Sequence, residues 1–151
     1  MQRNNGEPTV MTEKPKLLYI TRKEHFNAAH KLYNPNWSEE KNEEVFGRCA
    51  NKNWHGHNFE LFVTVKGYPD PETGFVIDLK VLKKIIREEV TDQLDHRNIN
   101  EDVPFMKGKM ASIENIVVGI WNQIEPHLQN CKLHCIKLYE TQNNYVEYYG
   151  E

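Results

Sequence analysis

His55-Gly56-His57 is where chemistry is easiest to read in this chain. Two histidines one residue apart on an extended strand project from the same side, close enough to grip one metal ion. An HxH pair alone is weak evidence for that, and exposed or hydrogen-bonded strand imidazoles are the plainer reading. His30 adds a third imidazole, following Phe26-Asn27-Ala28-Ala29 at the end of an earlier extended segment that belongs beside the first. Three imidazoles without a cysteine cluster describe a catalytic Zn2+ site with an open coordination position, not a closed structural one. His25, in the same segment, is the alternative to His30.

Three further features carry candidate chemistry. Cys49 lies six positions before His55, in a loop flanked by Arg48 and Lys52, a setting that suits a base or nucleophile better than a core thiol. Asp95-His96 follows an amphipathic helix and can project into a cleft, the carboxylate orienting the imidazole; a helix-end ion pair is the plainer reading. Glu140 ends an otherwise apolar strand, where a carboxylate can accept two hydrogen bonds from an aminopyrimidine-like edge. Glu114 falls in the first turn of a helix, where an acid is favoured by the dipole alone. Cys131 and Cys135 flank His134 in a strand pattern and read as packing, with a second metal site the lesser alternative.

The elements that must position these residues follow from periodicity. Leu17 to Phe26 predicts a first strand. In the second, His55, His57, Phe59, Leu61, Val63 and Val65 alternate onto one face, ending in turn chemistry from Gly67 to Gly74. Between them, 31–53 reads as a loop with one helical turn. Leu79, Leu82, Ile85, Ile86 and Val90 recur at helical steps from an Asp78 cap to about Leu94. Ile113, Ile116, Val117, Ile120, Trp121 and Ile124 form a second stripe from Ser112 until Pro126. Strands at 132–141 and 145–149, about a turn at Asn143-Asn144, complete an α+β plan with an antiparallel four-stranded sheet and two helices on one face. Such a sheet leaves edges and a second face to cover, which favours a homo-oligomer. Residues 1–15 are polar and aperiodic and read as a flexible leader to a single domain, 16–151.

The bulk numbers narrow the function. A 151-residue chain with 38% hydrophobic residues can bury a core without staples. Its net charge of −3 argues against a nucleic-acid surface, and no apolar run is long enough for a membrane span. With no secretory signal pattern and three cysteines, an odd count, a reducing cytoplasmic setting is expected. Phosphate-loop, GxSxG and dinucleotide fingerprints are missing, which counts against nucleotide-driven and hydride-transfer chemistry.

Taken in order, FNAAH (26–30), FGRCANKNWHGHNF (46–59), LDHRNIN (94–100), SIEN (112–115) and YETQNNYVEYYGE (139–151) resemble the signature segments of the 6-pyruvoyl tetrahydropterin synthase family, from about Leu17 to Glu151. The resemblance implies the tunnelling fold, whose sheets join into an oligomeric barrel, usually a hexamer of two trimers with active sites between subunits. It implies Zn2+ on His30, His55 and His57, Cys49 as base working with Asp95 and His96, and Glu140 as the pterin anchor. Ser112 and Glu114 are implied to line the same pocket, although Ile113 stands where the animal enzymes resemble Thr. The implied reaction is a carbon–oxygen lyase step that converts 7,8-dihydroneopterin triphosphate to 6-pyruvoyl tetrahydropterin, for tetrahydrobiopterin biosynthesis, with Mg2+ accompanying the triphosphate. Arg22, Lys31 and Arg48 are the cations proposed for that triphosphate. The competing implication is 6-carboxytetrahydropterin synthase of queuosine biosynthesis, which resembles a shorter Cys-to-HGH spacing than the five residues between Cys49 and His55. A non-catalytic zinc- or pterin-binding assembly is the remaining alternative; Cys49, Asp95, His96 and Glu140 together argue against it.

Overall fold

The structure is a computed structural model that describes residues 13–151; residues 1–12 of the expected leader lie outside the described residues. β1 (Leu18–His30) and β2 (His55–Gly67) form a long antiparallel pair, in register from Leu18 opposite Gly67 to His30 opposite His55. β1 therefore runs four residues past the Phe26 expected as its end, and brings the Asn27–His30 segment into the sheet. Strand alternation sends Phe26, Phe59, Leu61, Val63 and Val65 to one face, where all are fully buried.

The β1–β2 connection carries α1 (Glu39–Phe46), longer than the single turn expected, capped by the Ser38 hydroxyl. Buried Asn42 holds the preceding turn together by donating to the Asn34 and Ser38 carbonyls. After β2, the Asp78 carboxylate accepts the Lys80 N–H and starts α2 (Leu79–Ile86). The helix continues through a wider π turn (Arg87–Thr91) into α3 (Asp92–Leu94), so the expected run to Leu94 exists as one helical stretch with a bulge. α5 (Ile113–Ile124) begins at Ser112, and Pro126 follows it in a short 3-10 turn. Leu82, Ile86 and Val90 from the first helical run and Ile116, Ile120 and Ile124 from α5 seal the apolar face of the strands. Each such side chain contributes about 1.5–3 kcal/mol of burial.

β4 (Lys132–Tyr139) and β5 (Tyr145–Tyr148) extend the sheet beyond β2, with a bulge opposite Thr64/Val65. The sheet differs from expectation at its other edge. Arg97–Asn98 forms a short β3, parallel to β1, ahead of the single-turn α4 (Ile99–Asp102). The order β3-β1-β2-β4-β5 therefore makes five strands and a mixed, open sheet in place of four antiparallel ones. The cause is a contact distant in sequence: the chain after Leu94 is pinned to Asn27, whose N–H donates to Asp95 Oδ1 at 2.8 Å and whose carbonyl accepts from His96 N–H at 2.6 Å. Once pinned, it lies along the free edge of β1. Among the described residues, no helix is long and apolar enough to cross a membrane.

Candidate metal centre

The register of β1 on β2 decides the centre. His30 opposite His55 puts all three expected ligands at one end of the strand pair, with ring centroids 4.5 Å (His30–His55), 5.1 Å (His30–His57) and 4.8 Å (His55–His57) apart. His25, an odd number of residues away on β1, is exposed on the opposite face and stays outside the group. His30 is 1% exposed, and its Nδ1 lies 2.8 Å from the Ala111 carbonyl. A carbonyl can only accept, so Nδ1 carries a proton and Nε2 is the nitrogen that faces the other groups.

Glu140 completes the group. β4 ends at Tyr139, one residue earlier than Glu140, and the Glu140 N–H donates back to the Asn144 carbonyl across the turn into β5. This turns the carboxylate inward, with Oε1 3.2 Å from both His30 Nε2 and His57 Nε2. Those approaches bring the groups together without well-directed hydrogen bonds. His30 Nε2, His55 Nδ1 and His57 Nε2 are each buried and unpaired. One atom from each of the four residues lies within 4.8 Å of the others. A tetrahedral zinc with ~2 Å bonds wants donors ~3.3 Å apart, so small side-chain rotations fit this set to a metal.

The electrostatics agree. Burial, then the neighbouring His30 and His57, hold His55 below the ordinary imidazole value. Burial and His30 also lower His57, against the pull of Glu140. The His30 contact holds the Glu140 carboxyl below the usual carboxylate range despite its burial. A neutral His55 and His57 beside an ionised Glu140 is the combination that suits a cation.

His57 also looks into two cavities. One of about 650 Å³ is lined by Glu140, Thr141, Gln142, Asn58, His25 and Glu60. The other, about 540 Å³, is bordered by His96, Arg97, Asn98 and Asp102. Gly56 borders both, and a Cβ there would meet only Ala28 O, at an ordinary 3.6 Å. On the second side, His96 Nδ1 lies 3.0 Å from Asp95 Oδ2, with His96 in the positive-φ region (58°) and largely exposed. The Asn27 N–H, and then His96, hold the Asp95 carboxyl below its ordinary value.

The remaining candidates lie outside the four-residue group. Cys49, a half-buried free thiol, sits in a 3-10 turn (Gly47–Ala50) whose Cys49 carbonyl takes the Leu32 N–H at 2.7 Å. Ser112 spends its hydroxyl capping α5, and Glu114 is exposed in that helix's first turn; neither borders the two cavities beside His57. Arg22 is committed to buried Glu24, at 2.7 Å, together with Arg87. Lys31, stacked over Tyr33 and Trp54, borders a separate cavity of about 930 Å³ with Arg48 and Lys52. Cys131 and Cys135 join no metal-binding group among the described residues, and burial raises both thiols. The inward turn of Glu140 toward the imidazoles was not expected; its one sequence signal is an acid just past a buried strand.

The family model described as 6-pyruvoyl tetrahydropterin synthase matches residues 19–151. The chain belongs to this family. A 6-pyruvoyl tetrahydrobiopterin synthase of Pongo abelii is 43% identical over 132 residues, covering 87% of this chain and 91% of the relative. The solved 6-pyruvoyl tetrahydropterin synthase of Caenorhabditis elegans superposes with a TM-score of 0.86 at 34% identity, covering 93% of this chain and all of that one. A 6-carboxy-5,6,7,8-tetrahydropterin synthase of Rickettsia typhi is more distant, at 27% identity over 87% of this chain and 99% of its own. Family membership thus comes with a four-residue group able to hold a metal ion.

Proposed function

We propose that the chain converts 7,8-dihydroneopterin triphosphate into 6-pyruvoyl tetrahydropterin with loss of triphosphate, using Zn2+ held by His30, His55 and His57. The observation that carries this reading is the convergence of three buried, unpaired imidazole nitrogens on Glu140, which with His57 also lines a cavity. When bound, Zn2+ supplies Lewis acidity toward the side-chain hydroxyls of the substrate.

The chain's own residues do the rest. The Glu140 carboxylate accepts hydrogen bonds from the aminopyrimidine edge of the pterin. At 3.2 Å from two imidazoles it is also placed to join the ligand set, and a Gln substitution separates the two roles. Cys49 takes protons from the side-chain carbons, its turn held against the end of β1 by the Leu32–Cys49 hydrogen bond. Asp95 holds His96 through Nδ1, leaving Nε2 free to pass a proton. Ser112 caps α5 and Glu114 sits exposed in its first turn, so neither is given a part in the chemistry. The side chain is oxidised and the ring reduced within one molecule as triphosphate leaves, so no external oxidant is required. The reaction is a carbon–oxygen lyase step in a cytoplasmic protein, with Mg2+ travelling on the triphosphate.

His96 is 79% exposed as a side chain, too open for a protected proton relay in one subunit. A hexamer of two trimers, its sheets closed into a barrel, would cover it and complete the site. Residues 16–151 form the single catalytic domain, and 1–15 its leader.

The alternative product, 6-carboxytetrahydropterin, is disfavoured by the five residues between Cys49 and His55. Mass spectrometry of the product formed from dihydroneopterin triphosphate, with and without chelator, tests the reading. A pyruvoyl product lost on chelation supports it. A carboxy product, or turnover indifferent to chelation, rejects it.

A further inference from the structure

His30 is the last residue of β1, and strand ends fray unless something beyond them is held. On one flank His30 pairs with His55. On the other, β3 reaches only Ala28 and Ala29 before the chain turns into α4. The next residue along, Lys31, would present both backbone groups to nothing on that side. Asn100 fills the gap. Its Oδ1 accepts the Lys31 N–H at 3.0 Å and its Nδ2 donates to the Lys31 carbonyl at 3.0 Å. One carboxamide thus replaces the strand neighbour that β3 stops short of supplying.

The placement of Asn100 is itself built. Ile99 is fully buried and anchors the turn. Asn98 Oδ1 accepts the Asn100 N–H at 3.0 Å, and Asp102 Oδ2 accepts the Asn98 N–H at 3.0 Å. Residues 95–100 therefore run as a zip along 27–31: Asp95 and His96 on Asn27, Arg97 and Asn98 opposite Ala28 and Ala29, Asn100 on Lys31. Immediately past the last tooth, Leu32 N–H donates to the Cys49 carbonyl. The Asp95–His96 pair, the His30 ligand and the Cys49 turn are thereby linked through one short run of backbone, residues 27–32.

We propose that Asn100 is a positioning residue: its two-point clamp on Lys31 holds His30 in place for the metal and sets the relay and the Cys49 turn in register with it. This rests on the metal-dependent reaction proposed above, but it is readable without turnover. The test uses the full-length protein and Zn2+ as the probe. Zn2+ affinity by chelator competition, amide exchange at Lys31 and Leu32, and steady-state kinetics are measured for Asn100→Leu, Asn100→Asp and a control, Asp70→Ala. Asp70 caps an unrelated turn by accepting the Glu72 and Thr73 N–H groups.

Asn100→Leu is expected to weaken Zn2+ binding ~10-fold, the low end of what losing a ligand-orienting partner costs, because Asn100 acts on His30 through the Lys31 backbone. It is also expected to speed exchange at Lys31 and Leu32 and to lower kcat more than it raises KM. Asn100→Asp keeps the acceptor for Lys31 N–H and should recover part of the affinity. Zn2+ affinity within twofold of the parent in Asn100→Leu overturns the assignment, as does an equal loss in Asp70→Ala. If the parent binds Zn2+ but makes no pterin product, the proposed reaction fails, while the affinity series still decides the role of Asn100.

Discussion

Replacing His57 by Ala should uncouple the fold from its metal. His57 Nε2 is buried without a hydrogen bond and makes its polar approach to Glu140 at 3.2 Å, so the metal-free fold loses little when the ring is removed. The metal-bound fold loses one of three imidazole donors. Zinc sites contribute ~10–16 kcal/mol over four ligands, or ~2.5–4 kcal/mol each, which is an affinity loss of roughly 10²–10³-fold. With Zn2+ at ~1,000 times the parent's dissociation constant, binding stabilises the parent by ~4 kcal/mol. A domain of this size gains ~2–4 °C in Tm per kcal/mol, so a rise of ~8–16 °C is expected. In His57→Ala the same Zn2+ concentration is only about one to ten times the new constant. The stabilisation shrinks to ~0.4–1.4 kcal/mol, and the rise to ~1–6 °C. The measurement is thermal unfolding of chelator-treated protein with and without added Zn2+. His127→Ala is the control, its ring lying by Glu89 outside the four-residue group, and it should keep the full rise. A His57→Ala protein with a Zn2+-dependent rise as large as the parent's would refute a metal centre at this end of the strand pair.

Acid should release the metal. His55 and His57 are held below 6.5, so both stay neutral at that pH; Zn2+ affinity is expected to hold above their lowered values and to fall as pH drops through them, which a pH series of Zn2+ titrations follows. Glu140, also depressed, adds a loss of the same sign at pH below its ordinary 4.5. Glu140→Gln is expected to keep Zn2+ affinity within ~10-fold while raising KM for the pterin; loss of the metal instead assigns the carboxylate to the ligand set. Cys49→Ala should retain Zn2+ and stability, as a half-buried thiol outside the four-residue group, and reduce kcat by at least ~10²; unchanged turnover removes the thiol from the mechanism. Asp95→Asn keeps an acceptor for Asn27 N–H but loses the carboxylate facing His96, so the fold should hold while the pH–rate profile shifts.

Much of this protein was legible from local pattern. Alternation along 55–65 assigned a face to every residue of β2, because side-chain direction on a strand depends on parity alone. The Asp78 and Ser112 caps and the apolar stripes behind them are likewise local, since a helix satisfies its backbone within four residues. Parity also separates His25 from His30, but cannot say which of the two joins His55 and His57; that needed the register of β1 on β2, set across the intervening loop. Tertiary structure alone decided three things. It laid residues 97–98 parallel to β1, through hydrogen bonds from Asn27 to a loop far along the chain. It turned Glu140 onto two imidazoles. It gave His30 its tautomer, through the Ala111 carbonyl. Each is a contact between groups distant in sequence, whose energy depends on where the whole core places them and leaves no periodic trace in the residues that make it.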